Sequence, residues 1–205
     1  MPKFPEPPAL DVFVRDGVVV EHPAGLRLWR IYPQGGRHPT QWSDFRHYGP
    51  VNARFDPHLP PPHVQERGVM YAADRGPTCV AEVFQESRVV DRSRNAPALV
   101  AFTLQRPVKL LDLLAGATRL GTSTAVCSGS HARARRWAQA AYAALPEVDG
   151  ILYGSSMAAH TPAFALFERA RTAMPTRPDL HRRLDDPALR DLVLNAAADA
   201  GYIVV

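Results

Sequence analysis

Apolar and polar residues alternate most regularly over Leu26–Tyr32, with Leu26, Leu28, Arg30 and Tyr32 on one face and Arg27, Trp29 and Ile31 on the other. This is the period of two expected of a β-strand. Arg30 thus shares a face with two leucines, and a guanidinium there must reach solvent or a partner, because an unpaired buried charge is costly. A second strand is expected over Gly68–Ala73. Asp74-Arg75-Gly76-Pro77 then turns the chain and opens a helix with proline in its first turn. In that helix Cys79, Val80, Val83 and Phe84 have the spacing of a buried stripe, while Glu82, Gln85 and Glu86 fall on or beside the other face.

Leu99–Leu104 and Val108–Leu114, separated by Gln105-Arg106-Pro107, predict neighbouring strands. After Ser128-Gly129-Ser130-His131, residues Ala134, Trp137, Ala138, Ala141, Tyr142 and Leu145 recur at helical spacing, with Arg133, Arg135 and Arg136 turned mostly outward. Asp149–Tyr153 predicts a short strand and Pro162–Arg169 a short helix. Asp186-Pro187 caps and starts a last helix running to Gly201, before a terminal strand over Tyr202–Val205. Residues 1–25 are rich in proline and form a loosely ordered lead-in, in which only Leu10–Val14 and Val18–Val20 can form strands. Residues 33–68 carry many Gly, Pro, Asn and Asp and predict long loops with short strands at most. Strands and helices mix without a βαβ rhythm, so the expected class is α+β, with mixed central sheets and flanking helices. The expected division is a lead-in over 1–25 and one domain over 26–205, with a C-terminal extension from about residue 170.

The length of 205 residues suits one such domain. No apolar run reaches the roughly 18 to 20 residues of a membrane helix, and residues 1–8 lack the pattern of a secretory signal, so a cytoplasmic protein is expected. Two cysteines, Cys79 and Cys127, and eight scattered histidines do not make a zinc site, and no metal is expected. The pI of about 9.4 arises from a net charge of only +4. That suits a basic surface or a pocket for a small phosphorylated ligand better than an arm for nucleic acid. There is no Gly-x-Gly-x-x-Gly after a strand, no P-loop, and no Gly-x-Ser-x-Gly elbow around Ser155.

Several stretches nevertheless stand in a characteristic order: Leu28–Ile31, Asn52-Ala53-Arg54-Phe55-Asp56-Pro57, Gly68–Asp74, Val80-Ala81-Glu82-Val83, Leu110–Leu113, Ser128-Gly129 and Gly150–Tyr153. In this order the sequence resembles the RES-domain family over roughly Leu26 to Glu168. The resemblance implies a fold like that of diphtheria-type ADP-ribosyltransferases and a toxin that degrades NAD. It also implies neutralisation by a partner with an Xre-like helix-turn-helix region, and self-association. Carried over by position, it assigns the strand arginine to Arg30, the loop arginine to Arg54, the aromatic to Tyr71 and the acid to Glu82. The serine falls on Ser128, with Ser155 a second candidate. Two departures stand in the loop, where the family usually has Gly-Arg-Phe-Asn-Pro: Ala53 replaces the glycine and Asp56 the asparagine.

These residue types form a coherent set for one chemistry. Cleaving the bond between nicotinamide and ribose passes through an oxocarbenium-like state that a nearby carboxylate stabilises, the role expected of Glu82. Arginine forks match phosphate oxygens, so Arg30 and Arg54 can hold the pyrophosphate while a serine adds a donor. Tyr71 can stack on nicotinamide or ribose. NAD is then substrate and no cofactor is needed. Water, phosphate or a protein can accept the ADP-ribose, the last making the chain an ADP-ribosyltransferase. A non-enzymatic anion-binding or nucleic-acid-binding module built on Arg133, Arg135 and Arg136 is the competing reading. Taken singly, Glu82 fits a solvated helix position, Tyr71 a core residue, Ser128 an N-cap and Arg54 a surface partner of Asp56.

Overall fold

The computed structural model of the protein describes residues 3–205. A nine-stranded mixed sheet runs in the order β1 (Val19–His22), β7 (Val108–Asp112), β8 (Gly150–Gly154), β9 (Pro162–Phe167), β4 (His63–Ala73), β2 (Arg27–Pro33), β6 (Pro97–Thr103), β10 (Leu180–Arg183), with β3 (Arg46–Gly49) paired to β4. Only β7 and β8 are parallel to each other in this sheet. A second, two-stranded sheet pairs β5 (Val89–Val90) with β11 (Ile203–Val204). The class is α+β, as the sequence predicts.

Three apolar clusters explain how the sheet is shaped. Leu28, Met70, Val100, Phe102, Leu110, Leu152, Phe164 and Leu166, from six strands, meet in one buried cluster, so the sheet curls round its own inner face. On the outer face of one half, α1 (Leu10–Asp16) and α4 (His131–Ala144) bury Phe13, Trp137, Ala138 and Ala141 against Ile151, Tyr153, Ala165 and Phe167. On the outer face of the other half, α2 (Gly76–Val83) and α5 (Arg190–Ala200) bury Val80, Val193 and Ala197 against Ile31 and Leu99. None of the helices among the described residues is long and apolar enough to cross a membrane.

The curl corrects one expectation. β6 and β7 are joined by four residues yet do not pair; β6 lies between β2 and β10, and β7 between β1 and β8. Leu104 and Val108, at the ends of this link, are both buried in the inner cluster, so the link crosses between the two halves of the sheet instead of closing a hairpin. Pro162–Arg169 is also corrected, from helix to the central strand β9. Its residues Ala163–Phe167 are all buried, with β4 on one side and β8 on the other. A strand covered on both faces loses the alternation that would reveal it.

Residues 10–22 depart from the expected loose lead-in, two of whose residues, 1 and 2, lie outside those described. Leu10–Asp16 is a helix, not a strand, and Val19–His22 forms an edge strand on β7. Phe4 and Phe13 are buried beside Trp137, whose indole Nε1 donates to the Pro5 carbonyl at 3.0 Å. Residues beyond 170 likewise belong to the body: β10 extends the sheet, and α5 packs on α2. Asp186 caps the short turn before α5 by accepting from Ala188 N, and Gly201 ends that helix with φ +69°, both as expected.

Candidate active site

β2 and β4 are paired at a single position, Trp29 with Ala73. Beyond it the strands part, and a cleft of about 270 Å³ opens between Arg30 and Ile31 on one side and Tyr71 and Ala72 on the other. Helix α2 closes a third wall. Cys79, Glu82 and Val83, spaced three and four apart, line the cleft from one helical face, and Glu86 joins them from the turn after α2. This corrects the expected stripe: Val83 faces the cleft and is 51% exposed, while Val80 and Ala81 are buried. A proline in the first turn of α2 presets the helix, and the Tyr202 hydroxyl donating to the Ala81 carbonyl at 3.0 Å anchors its far end.

Arg30 lies on the strand face its alternation predicts. Among the described residues no carboxylate forms an ion pair with it; its Nη1 donates to the carbonyls of Trp42 and Asp44 at 2.9 and 2.8 Å. Nε and Nη2 have no hydrogen-bond partner among the described residues, so the fork keeps donors for a ligand. Burial pulls its pKa down to about 10, opposed by the charge of Asp44, and the group still carries its proton at neutral pH. Arg54 comes from the loop between β3 and β4. Its Nη1 donates to the Gly129 carbonyl at 2.7 Å. Burial lowers its pKa, against the pull of Tyr153 and Glu82.

Glu82 is held rather than solvated. Its Oε1 accepts from the Ser155 hydroxyl at 2.5 Å. Burial raises its pKa, while Ser155, Arg54 and His131 oppose the rise by favouring the ionised form. Ser155 Oγ in turn accepts from the backbone amides of Met157 and Ala158 at 3.2 and 3.0 Å, so the turn after β8 fixes the serine that fixes the acid. Replacing Ser155 by alanine removes one support of the ionised form. The Glu82 carboxyl is then expected to titrate at higher pH than in the wild-type protein. A full pH profile checks this.

The structure therefore brings Arg30, Arg54, Tyr71, Glu82 and Ser155 together. Ser128 is the exposed last residue of α3 (Ala125–Ser128) and does not line the cleft; the N-cap of α4 is Ser130. Its neighbour Gly129 holds Arg54 through the backbone carbonyl. Tyr71 borders the cleft with a buried hydroxyl that has no hydrogen-bond partner among the described residues, and burial raises its pKa. Tyr153, His131, Asn52 and Gln85 also line the cleft without having been singled out from the sequence. Tyr153 packs on Phe55 with ring centroids 4.8 Å apart, and its place in β8 directly before Gly154-Ser155 was the available signal. Among the described residues, no cluster of three or more histidine, cysteine or carboxylate side chains could hold a metal ion.

The cleft is polarised, with Arg30 and Arg54 against Glu82 and Glu86, and it has aromatic walls. Such a space suits a ligand that is anionic at one end and has a flat, electron-poor group at the other. By contrast, the arginines of α4 are engaged: Arg133 and Arg136 pair with Glu6 at 3.2 and 2.6 Å, and Arg135 donates to the Val51 carbonyl.

Known proteins resemble the chain at the level of family and fold. No curated protein sequence matches the chain. One similar solved structure is described as the crystal structure of the M. tuberculosis MbcT–MbcA toxin–antitoxin complex. It has a TM-score of 0.61 and 14% identity, and the match covers 90% of this chain and 96% of that one. At that identity the likeness is one of fold. The RES domain matches residues 27–187, the span that holds β2, the cleft and all of its candidate residues, and the chain belongs to the RES-domain family.

Proposed function

We propose that the protein is an NAD-cleaving enzyme that acts as the toxin of a toxin–antitoxin pair. The observation that carries this reading is a half-buried carboxylate, Glu82, oriented by Ser155 in a cleft that also presents two arginine forks. Arg30 and Arg54 bind the pyrophosphate, and Tyr71 and Tyr153 flank the nicotinamide riboside. Ionised Glu82 stabilises the positive charge that grows on the ribose as the C1′–N bond breaks. Nicotinamide departs as a neutral base carrying the bonding electron pair, so no strong acid is required. The acceptor oxygen then bonds C1′ and its proton passes to solvent. The cleft is near the lower end of the ~300 to 1,000 Å³ of typical ligand pockets, which suits the nicotinamide riboside half, with the adenylate along the open side.

Membership of the RES family and the fold shared with a protein described as part of a toxin–antitoxin complex support the toxin role. The expected partner is an antitoxin of Xre type, and self-association and a cytoplasmic location belong to the same reading. Transfer of ADP-ribose to a protein uses the same residues and differs in the acceptor. The nucleic-acid-binding alternative is less favoured, because Arg133 and Arg136 of α4 pair with Glu6 within the chain. The test is to incubate purified protein, freed of any partner, with NAD labelled in the adenylate, with and without phosphate. Release of nicotinamide supports cleavage, and label in free ADP-ribose, in its 1-phosphate or on protein identifies the acceptor. Intact NAD under all conditions would overturn the proposal.

A further inference from the structure

The loop that carries Arg54 into the cleft contains a fully buried acid, Asp56, which does not line the cleft. Asp56 is 0% exposed, and both of its carboxylate oxygens are engaged. Oδ1 accepts from His58 N at 3.1 Å and from His58 Nδ1 at 2.5 Å. Oδ2 accepts from Val51 N at 2.8 Å and from Arg46 Nη2 at 3.0 Å. The donors at Val51 and His58 stand on either side of the segment that presents Asn52, Ala53 and Arg54. One carboxylate therefore ties the two ends of a short loop to each other, and Arg46 ties it to β3.

The loop needs such a tie. Between the clamped ends, Phe55 adopts φ +56°, a left-handed conformation that a bulky residue adopts only when its surroundings impose it. Phe55 is fully buried against Tyr153. From this fixed point Arg54 is directed at the cleft, with one nitrogen spent on the Gly129 carbonyl. The charge on Asp56 is favoured by these donors, which hold its carboxyl below the usual range despite burial. His58 is also fully buried. Its Nδ1 faces the carboxylate and so carries the proton, while its Nε2 has no hydrogen-bond partner among the described residues.

We propose that Asp56 is a positioning residue for substrate binding, setting the Arg54 guanidinium at the pyrophosphate subsite by closing the loop Val51–His58. The inference rests on the function proposed above for the site itself. It identifies Asp56 as acting through Arg54, without contact with substrate. Asparagine at 56 can keep three of the four bonds: its oxygen accepts from Val51 and Arg46, and its amide donates to a His58 ring that has moved its proton to Nε2. Alanine keeps none.

The test is a double-mutant cycle on NAD turnover and on ADP-ribose affinity. Asp56→Ala is expected to raise KM and the Kd for ADP-ribose about tenfold with kcat nearly unchanged, and Asp56→Asn about threefold. In an Arg54→Gln background both effects should vanish, because the side chain they position is gone. A merely structural role predicts effects that persist in that background, or that lower kcat and thermal stability without changing KM, and either result overturns the proposal. If the alanine variant does not fold, Asp56→Asn alone decides: an unchanged KM and Kd, or a change that is additive with Arg54→Gln, overturns it. Wild-type protein that binds ADP-ribose but leaves NAD intact would sink the cleavage reading while the cycle, read by affinity, still judges Asp56. Protein that binds neither would overturn both.

Discussion

Glu82→Gln is expected to abolish NAD cleavage and to make the protein more stable at neutral pH. The activity loss should be about 100- to 1,000-fold, the range for removing one preorganised electrostatic contact to a developing charge, because a neutral amide cannot offset the cation on the ribose. The stability change follows from the direction of the pKa shift. Burial raises the Glu82 carboxyl above its unfolded value, so the folded state favours the protonated form. Stability from this group is therefore greatest below the unfolded pKa, falls as pH rises through the window between the two values, and stays low above it. Glutamine resembles the protonated acid and can still accept the Ser155 hydroxyl. The melting temperatures of the two proteins should thus agree at acid pH and separate as pH rises, with the variant the higher. Paired melts across pH, beside nicotinamide release, check both halves. A variant less stable than wild type at neutral pH that still releases nicotinamide would mean that Glu82 serves the fold and not the reaction.

Trp137→Ala is expected to have the largest effect on stability, about 3 to 5 kcal/mol for removing a buried tryptophan. Trp137 is 0% exposed and packs edge-on to Phe13 with centroids 5.7 Å apart. It also bonds the Pro5 carbonyl through its indole, so its loss empties the layer that fastens α1 and the N-terminal segment to α4. Chemical denaturation should show the loss directly, and limited proteolysis should find the segment before β1 released. An N-terminal segment independent of the core would predict the same free-energy loss without the new cleavage.

What could be read from the sequence divides along physical lines. Arg30 was legible because a charge on an otherwise apolar strand face breaks a clear alternation, and its bonds to Trp42 and Asp44 show how that conflict is resolved. The start of α2 was legible because Gly76-Pro77 follows a turn, although the helix face that lines the cleft was assigned to the core through Val83. β9 was missed because Ala163–Phe167 is buried on both faces and carries no period. The short link between β6 and β7 suggests a pair that does not form, because a short link implies neighbours only in a sheet that does not curl back on itself. Leu10–Asp16 folds as a helix despite its valines because Phe13 finds a place on α4. As for the serine, Ser128 and Ser155 look alike in sequence, and only the turn after β8 brings one of them onto Glu82. Asp56 looked like a surface partner for Arg54, whereas its partners are Arg46, Val51 and His58.

On the proposed function, NAD lies in the cleft between β2, β4 and α2 with its glycosidic bond at residue 82. A crystal structure of the Glu82→Gln protein with NAD tests this most directly, because the variant should bind without turnover. The pyrophosphate is expected on Arg30 and Arg54, the nicotinamide riboside between Tyr71 and Tyr153, and ribose C1′ next to the carboxamide of residue 82. NAD bound elsewhere, or a cleft that stays empty at saturating NAD, would contradict it.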